Sequence, residues 1–159
     1  MDKSTEEIKK FNVMEYLLAT ISSLQNITKK TDISIKTECH DNLIIKTYPG
    51  SFSQIMTNLI LNSISHAFSN REKGTILIEI KKYKRQIIIK FSDNGKGIKE
   101  EDLEKIFEPF FTTNREHGGT GLGLHIIYNI VTSQLNGSIK CHSKLNEGTT
   151  FEIIMDAMF

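Results

Sequence analysis

Two neighbouring runs of alternating apolar residues constrain the fold of this chain most strongly. TILIEIKKY at 75–83 and QIIIKFSD at 86–93 both have the two-residue period of a strand with one buried face. Only a few polar residues separate the runs, and so short a connection joins antiparallel strands. The second run ends at Asp93, in the segment DNGKG, so the predicted hairpin places a carboxylate and two glycines at one end of a sheet.

Helical and strand periods alternate through the rest of the chain. Apolar spacing predicts helices at about 11–24, 52–68, 99–107 and 122–135. Alternation predicts strands in ISIKTEC, LIIKTY, NGSIKCHS and TTFEIIMD, and KLNEG joins the last two as a hairpin. Pro49 and Gly50 end the strand LIIKTY, and Ser51 or Ser53 is expected to cap the following helix. Together these elements predict an α/β fold, a two-layer sandwich in which a mixed, mostly antiparallel sheet packs on helices.

Length and charge limit the classes of function. The 159 residues fit one domain, predicted at 8–159 after a polar tail at 1–7. Lysine and arginine number 20 against 19 acidic residues, which argues against nucleic-acid binding because that function needs a basic face. The basic run KKYKR at 81–85 is interpreted as a solvated hairpin end. No apolar run approaches the roughly 18 residues of a membrane span, and the amino terminus lacks a signal-peptide core. We therefore expect a soluble domain without membrane contact.

The two cysteines raise the question of a metal site, since Cys39 and Cys141 are each followed by a histidine. Neighbouring residues on a strand point to opposite faces, so one Cys-His pair cannot easily converge on one ion. Reduced cysteines in a cytoplasmic protein are the simpler interpretation.

The glycine-rich segment GGTGLGL at 118–124 is the first candidate for ligand chemistry. Its four glycines can expose backbone N–H groups, and the helix that follows adds the positive end of its dipole. That combination is typical of a phosphate cradle, although a flexible hinge before a helix explains the segment equally well. The sequence fits neither the Walker A pattern nor the dinucleotide-binding fingerprint.

Two asparagines indicate a metal that accompanies phosphate. Asn58 and Asn62 lie at i and i+4 on one face of an otherwise strongly apolar predicted helix. Exposed asparagines would be the ordinary explanation. An amide oxygen, however, is a hard donor suited to Mg²⁺, which takes few protein ligands beside substrate phosphates and water. A phosphate cradle and a magnesium ligand together indicate a nucleotide.

Asp93 has the chemistry to select the base of that nucleotide. A carboxylate accepts a hydrogen bond from the exocyclic amine of adenine, whereas guanine presents an oxygen at the same position. Gly95 and Gly97 would clear space beside the carboxylate. An Asx turn at the end of the strand is the alternative, but a turn alone does not require the second glycine.

Five motifs occur in one order along the chain. NLILNSISHA, DNGKGI, FEPFFTT, GTGLGL and EGTTF resemble the asparagine, first glycine, phenylalanine, second glycine and terminal glycine boxes of the catalytic, ATP-binding domain of sensor histidine kinases. That domain belongs to the GHKL superfamily, with gyrase, the ninety-kilodalton heat-shock chaperone and the mismatch-repair ATPases. The resemblance covers nearly all of residues 8–157. It implies the Bergerat ATP-binding fold, with ATP between sheet and helices under a mobile lid at about 109–119.

The resemblance also implies roles for particular residues. Asp93 would hold the adenine amine, helped through water by Thr149. Asn62 would coordinate Mg²⁺, and Asn58 would lie close to the phosphates. His66 is either a residue that stacks on the adenine or a helix-surface histidine. The rest of the implied nucleotide-binding set is Gly95, Gly97, Ile98, Thr113, Gly119, Thr120, Gly121, Leu122, Gly123 and Leu124.

The chain departs from the superfamily pattern in three places. In the ATP-hydrolysing members a glutamate precedes the magnesium asparagine by one helical turn, whereas this chain has Asn58, a poor general base. We therefore expect ATP to be held rather than rapidly hydrolysed. Ser65 stands where many members have a cation near the phosphates, and Arg115 and Lys96 are candidates to replace that charge. No histidine has the full acceptor pattern, in which an acid and later a proline follow, so the chain is not expected to autophosphorylate.

These observations predict an enzyme, the catalytic domain of a sensor histidine kinase in a two-component system. It would bind ATP with Mg²⁺ and donate the γ-phosphoryl group to a histidine on a separate dimerisation and phosphotransfer domain of the same parent protein. The receiver domain of a response regulator would be the second partner. We expect a cytoplasmic domain, monomeric in isolation, in a parent whose membrane anchoring the sequence leaves open. Two alternatives stay open: an anti-sigma-type serine kinase of the same fold, and a module that senses adenine nucleotide without transfer.

Overall fold

The computed structural model describes residues 6–68, 73–112 and 123–157. In chain order the elements are β1 (Lys9–Asn12), α1 (Val13–Ser23), α2 (Gln25–Thr28), β2 (Asp32–Cys39), β3 (Ile44–Thr47), α3 (Pro49–Asn62), β4 (Lys73–Tyr83), β5 (Gln86–Asp93), α4 (Gly123–Asn129), β6 (Ser138–Lys144) and β7 (Gly148–Asp156). Short π-helical turns at Ser63–Ala67 and Ile130–Gln134 continue α3 and α4, and a 3₁₀ turn occupies Glu100–Asp102. None of the helices in these ranges is both long and apolar enough to cross a membrane.

Five strands form one mixed sheet in the order β2-β4-β5-β7-β6. β2 lies parallel to β4, and every other neighbouring pair in this sheet is antiparallel. A separate antiparallel ribbon joins β1 and β3. Helices α1 and α4 pack against α3, and all three share one apolar core with the sheet. The predicted two-layer α/β sandwich with a mostly antiparallel sheet is confirmed.

The core lies between the sheet and the helices because each central strand buries every second residue. The buried strand residues are Ile76, Ile78 and Ile80 in β4, Ile87, Ile89 and Phe91 in β5, and Phe151, Ile153 and Met155 in β7. Burying each such side chain contributes about 1.5–3 kcal/mol. A slip of one residue would turn the whole set of one strand toward solvent. The burial pattern therefore fixes the register that pairs Asp93 with Thr149.

The beginning of the chain differs from the sequence-based expectation. A helix was expected from about residue 11, but Phe11 belongs to β1, where it is buried and paired with Ile45 of the ribbon. Helix α1 begins only at Val13, because the Asn12 side chain accepts a hydrogen bond from a backbone N–H of the first turn and caps the helix. The domain boundary placed after residue 7 stays a prediction.

Two further helix predictions need correction. Neither Ser51 nor Ser53 caps α3, which begins with Pro49 at its first position, where a missing N–H costs nothing. The helix expected at 99–107 is a single 3₁₀ turn followed by irregular turns. Ile106 is the only buried residue of that segment, so the segment's apolar face is too small to stabilise a longer helix.

Helix α3 ends in a wider turn than its sequence pattern indicates. The Phe68 N–H donates to the Ser63 carbonyl at 3.2 Å, five residues back, which closes the π-helical turn Ser63–Ala67. Turns of this kind occur mostly as single insertions within helices and are frequent at functional sites. The turn carries Ser63 and His66, which are both near the end of the sheet that Asp93 occupies.

Candidate functional site

Asp93 is the last residue of β5 and is buried, with 9% of its surface exposed. Its Oδ2 accepts a hydrogen bond from the Ser63 hydroxyl at 3.2 Å, and its Oδ1 accepts one from the Gly95 N–H at 2.9 Å. The second bond is that of an Asx turn, the alternative considered for this residue. An ionised carboxylate can accept about four hydrogen bonds, so Asp93 can accept one from a ligand in addition to the bond of the Asx turn.

Sequence reasoning missed Ser63, which is fully buried beside Asp93. Its spacing contained the signal, since Ser63 continues the apolar arc of α3 through Met56 and Leu59. A polar side chain on a buried face needs a hydrogen-bond partner, and the carboxylate at the end of β5 supplies it. Ser63 thereby ties the helix that carries the two asparagines to the strand that carries Asp93.

Contacts within the protein explain both glycines that follow Asp93. A Cβ at Gly95 would lie 2.5 Å from the Cβ and the carbonyl oxygen of Ala67. A Cβ at Gly97 would collide with the Lys144 carbonyl oxygen, and Gly97 also has a φ of 75°, in the left-handed region. The loop at 94–97 thus packs closely against the residues that follow α3 on one side and against the β6–β7 turn on the other. The approach of an adenine base to these glycines stays a prediction.

Thr149 lies directly opposite Asp93 in the antiparallel register of β5 and β7. Its side chain is 5% exposed, and its Oγ1 is 2.8 Å from the Oγ of Ser143 on β6. Ser143 also accepts a hydrogen bond from the Ile98 N–H at 2.8 Å. The structure therefore brings together three residues of the predicted nucleotide-binding set, Asp93, Ile98 and Thr149.

Asn58 and Asn62 are both half-buried on α3, one helical turn apart. In the part of the chain that the structure describes, neither side-chain amide makes a hydrogen bond. Each amide oxygen is thus available as a hard ligand, and such a ligand fits magnesium. The same described residues contain no group of three His, Cys, Asp or Glu that could hold a metal ion. The asparagines therefore fit a magnesium ion that is carried mainly by phosphates and water.

His66 is half-buried in the π-helical turn, and its Nε2 lies 3.1 Å from the Thr112 hydroxyl. Burial lowers the pKa of the imidazole, and the positive charge of Lys96 lowers it further. The ring is therefore neutral at pH 7. A nucleotide base could pack against it without the cost of removing water from a charged imidazolium. Its contact with Thr112 also joins the end of α3 to the first residues of the predicted lid at about 109–119.

Much of the predicted phosphate segment lies outside the described residues. This applies to Thr113, Gly119, Thr120, Gly121 and Leu122, and to Arg115 of the predicted lid. Gly123 and Leu124 belong to the described part of α4. Among the described residues, a Cβ at Gly123 would meet no atom within 4 Å, in contrast to one at Gly95 or Gly97. Packing against the described part of the chain does not require glycine at this position, and that part leaves space beside it for a ligand.

Most of the chain matches a known family. Residues 47–158 match the histidine kinase-, DNA gyrase B- and HSP90-like ATPases. The chain belongs to this ATPase family. The match extends over every candidate residue from Asn58 to Thr149, and it confirms the resemblance noted in the sequence.

Similar proteins place this ATPase domain with the histidine kinases. The signal transduction histidine-protein kinase ArlS of Staphylococcus aureus (strain USA300) is 40% identical over 129 residues, which are 78% of this chain and 26% of ArlS. The catalytic domain of histidine kinase ThkA has a TM-score of 0.79 at 28% identity, covering 96% of this chain and 97% of that domain. ThkA in complex with response regulator protein TrrA has a TM-score of 0.76 at 25% identity, covering 95% of this chain and 42% of that one. The chain is thus a histidine-kinase catalytic domain, and it spans about a quarter of ArlS.

The cysteines of this ATPase domain are free thiols. Burial raises the pKa of Cys141 to about 12, and the negative charge of Asp93 adds to the effect. Burial, with the charge of Asp41, also raises the pKa of Cys39. Metal ligation and nucleophilic attack both need the thiolate, so these protonated thiols agree with the interpretation as ordinary reduced cysteines.

Proposed function

We propose that this domain binds ATP together with Mg²⁺ and donates the γ-phosphoryl group to a histidine on another domain of its parent protein. The observation that carries the proposal is the buried carboxylate of Asp93, which Ser63 and Gly95 hold at the end of β5. A buried carboxylate is stable only where donors surround it. The exocyclic amine of adenine is one more donor, whereas guanine would oppose Asp93 with an oxygen. Asp93 therefore favours adenine over guanine.

The asparagines of α3 would act at the phosphate end of the nucleotide. Asn62 would ligate magnesium through its amide oxygen, and Asn58, one turn earlier, would lie near the phosphates. A bound magnesium ion neutralises phosphate charge during phosphoryl transfer. Because Asn58 carries no ionisable group, it cannot take a proton from water at neutral pH. The domain would therefore hold ATP for an acceptor instead of hydrolysing it quickly.

The amino end of α4 would bind the phosphates by backbone N–H groups and by its dipole. The open space beside Gly123 supports this role, since a ligand can approach the backbone there. Lys96, whose charge acts on His66, is the candidate cation among the described residues. Positioning and charge neutralisation are the main contributions of a protein to phosphoryl transfer, and these groups provide both.

The acceptor and the downstream partner would be supplied by other domains. The chain spans 26% of ArlS, so the dimerisation and phosphotransfer domain that carries the histidine is assigned to the rest of the parent. ThkA is known in complex with a response regulator, and we propose a receiver domain of that class as the second partner. Because ATP would be its substrate, the domain would act in the cytoplasm. In isolation it would be a monomer that binds neither nucleic acid nor membrane.

Transfer of labelled phosphate tests the proposal. The domain is incubated with Mg²⁺ and ATP labelled in its γ-phosphate, with and without a separately produced dimerisation domain of its parent. We expect label on the added domain that is lost in acid and kept in alkali, because phosphohistidine is acid-labile, and no label on this chain alone. Acid-stable label would indicate a serine kinase instead. Binding of ATP with no transfer to the added domain would indicate a nucleotide-sensing module.

A further inference from the structure

We propose that Ser143 is a positioning residue of the adenine site, which fixes the direction of the Thr149 hydroxyl so that Thr149 can only accept hydrogen bonds from a ligand. This inference rests on the ATP-binding function proposed above. Ser143 lies on β6, an edge strand of the sheet, and outside all five sequence motifs.

The Ser143 hydroxyl lies where three parts of the site meet. Its Oγ accepts a hydrogen bond from the Ile98 N–H at 2.8 Å, in the loop that follows Asp93. The same hydroxyl donates to the Gly148 carbonyl at 2.8 Å, at the start of β7. Its third contact is the Thr149 Oγ1, also at 2.8 Å. All three distances are those of well-formed hydrogen bonds.

The number of protons decides the direction of the contact with Thr149. A carbonyl oxygen only accepts, so the bond to Gly148 uses the single proton of the Ser143 hydroxyl. The bond between the two hydroxyls must then use the proton of Thr149. One lone pair of the Ser143 oxygen already accepts from the Ile98 N–H, and the other accepts the Thr149 proton. Thr149 therefore has no proton left for a ligand and keeps two lone pairs.

This direction has a consequence for the choice of base. Thr149 and Asp93 are opposite each other on neighbouring strands, so their side chains share one face of the sheet. The pair presents acceptors only, which favours the exocyclic amine of adenine, or a water molecule that donates to the protein and to the base. Guanine would oppose the pair with a further acceptor. Without Ser143, the Thr149 hydroxyl could turn its proton toward that oxygen, and the rejection of guanine would weaken.

The opposite face of the same two strands supplies a matched control. Ser92 of β5 and Thr150 of β7 also form a hydroxyl pair, with 3.1 Å between their oxygens. Each is the immediate neighbour of a site residue in sequence, but neighbours on a strand point to opposite faces. Ser92→Ala should therefore remove a comparable bond without altering nucleotide binding.

The experiment compares ATP and GTP affinities of the wild type with those of Ser143→Ala, Ser143→Thr and Ser92→Ala, measuring GTP by competition against ATP. A net hydrogen-bond contribution of typical size predicts that Ser143→Ala binds ATP about five-fold more weakly and loses preference for ATP over GTP by a similar factor. Ser143→Thr keeps the hydroxyl and should retain both values within about two-fold. Ser92→Ala should behave as the wild type.

Three results would overturn the inference. The first is a fall in ATP affinity with an unchanged preference over GTP, since a purely structural bond would weaken both nucleotides alike. The second is an unchanged ATP affinity in Ser143→Ala, and the third is a Ser143→Thr protein as weak as Ser143→Ala. If Ser143→Ala does not fold, Thr149→Val must show the loss of preference, and an unchanged preference there counts against the inference. A wild-type domain that binds no ATP would instead refute the proposed function itself.

Discussion

Replacement by alanine should have opposite effects on stability at Gly97 and at Gly123. At Gly97 the new side chain would adopt a φ of 75°, which costs an L residue about 1–2 kcal/mol. It would also collide with the Lys144 carbonyl, part of a backbone that cannot rotate away as a side chain can, and overpacking of this kind costs about 1–3 kcal/mol. The expected loss is therefore about 2–5 kcal/mol. Gly123 is helical, and no atom of the residues that the structure describes lies within 4 Å of a new Cβ there, so alanine should stabilise the protein by about 0.5–1 kcal/mol.

Thermal unfolding measures this contrast. In a domain of this size 1 kcal/mol changes the Tm by about 2–4 °C. Gly97→Ala should therefore unfold about 4–20 °C below the wild type, and Gly123→Ala about 1–4 °C above it. Calorimetry should also show weaker ATP binding by Gly123→Ala, because the added methyl group occupies the open space. An unchanged Tm for Gly97→Ala would refute the steric reasoning. A Gly123→Ala protein that binds ATP normally would refute the view that a ligand approaches there.

Three other expectations concern single side chains. Asp93→Asn should weaken ATP binding about 10- to 150-fold, since a hydrogen bond to a charged group contributes about 1.5–3 kcal/mol. Calorimetry measures the affinity, with Asp32→Asn at an exposed position as the control. Equal ATP affinities in the two variants would contradict the adenine assignment. Burial lowers the pKa of His66, so the unfolded chain binds more protons in the window below about 6.5, and stability should fall as the pH drops through it. When Tm is measured from about pH 7.5 to 5.5, it should fall less in His66→Gln than in the wild type. An equal fall of Tm in the variant and the wild type would contradict the assignment of this pH dependence to His66. Burial raises the pKa of the Cys141 thiol to about 12, so iodoacetamide at mildly alkaline pH should alkylate Cys141 more slowly in the folded chain than in urea, as mass spectrometry can check.

Apolar periodicity was sufficient to predict the main sheet and the long helices because each element buries one face. It could not predict β1, whose four residues include only one buried side chain and pair with a strand far along the chain. Nor does alternation distinguish the parallel pairing of β2 with β4 from an antiparallel one, since both have the same period. The π-helical turns were missed because they add a residue without changing the composition of the helix.

The sequence also predicted only part of the candidate site. The motif order identified Asp93, Ile98 and Thr149, which the structure does bring together. Ser63 and Ser143 are single hydroxyls that each contact a residue far along the chain, Asp93 for Ser63 and Ile98 for Ser143, 30 and 45 residues away. Ser143 joins Ile98 to Gly148 and Thr149, which lie five and six residues from it, and no local pattern reveals such a junction. A sequence also cannot show whether a glycine makes room for a ligand or for the protein itself. The structure assigns protein contacts to Gly95 and Gly97, whereas at Gly123 a Cβ would contact none of the described residues.

Calorimetric titration of the domain with ATP and with GTP, each with and without Mg²⁺, tests the central claim most directly. The account predicts that ATP binds in preference to GTP, because Asp93 would accept a hydrogen bond from the adenine amine, and that Mg²⁺ strengthens the binding, because Asn62 would ligate the ion. Equal affinity for the two nucleotides would contradict the adenine assignment. No ATP binding at all by folded protein would contradict the proposed function of the domain.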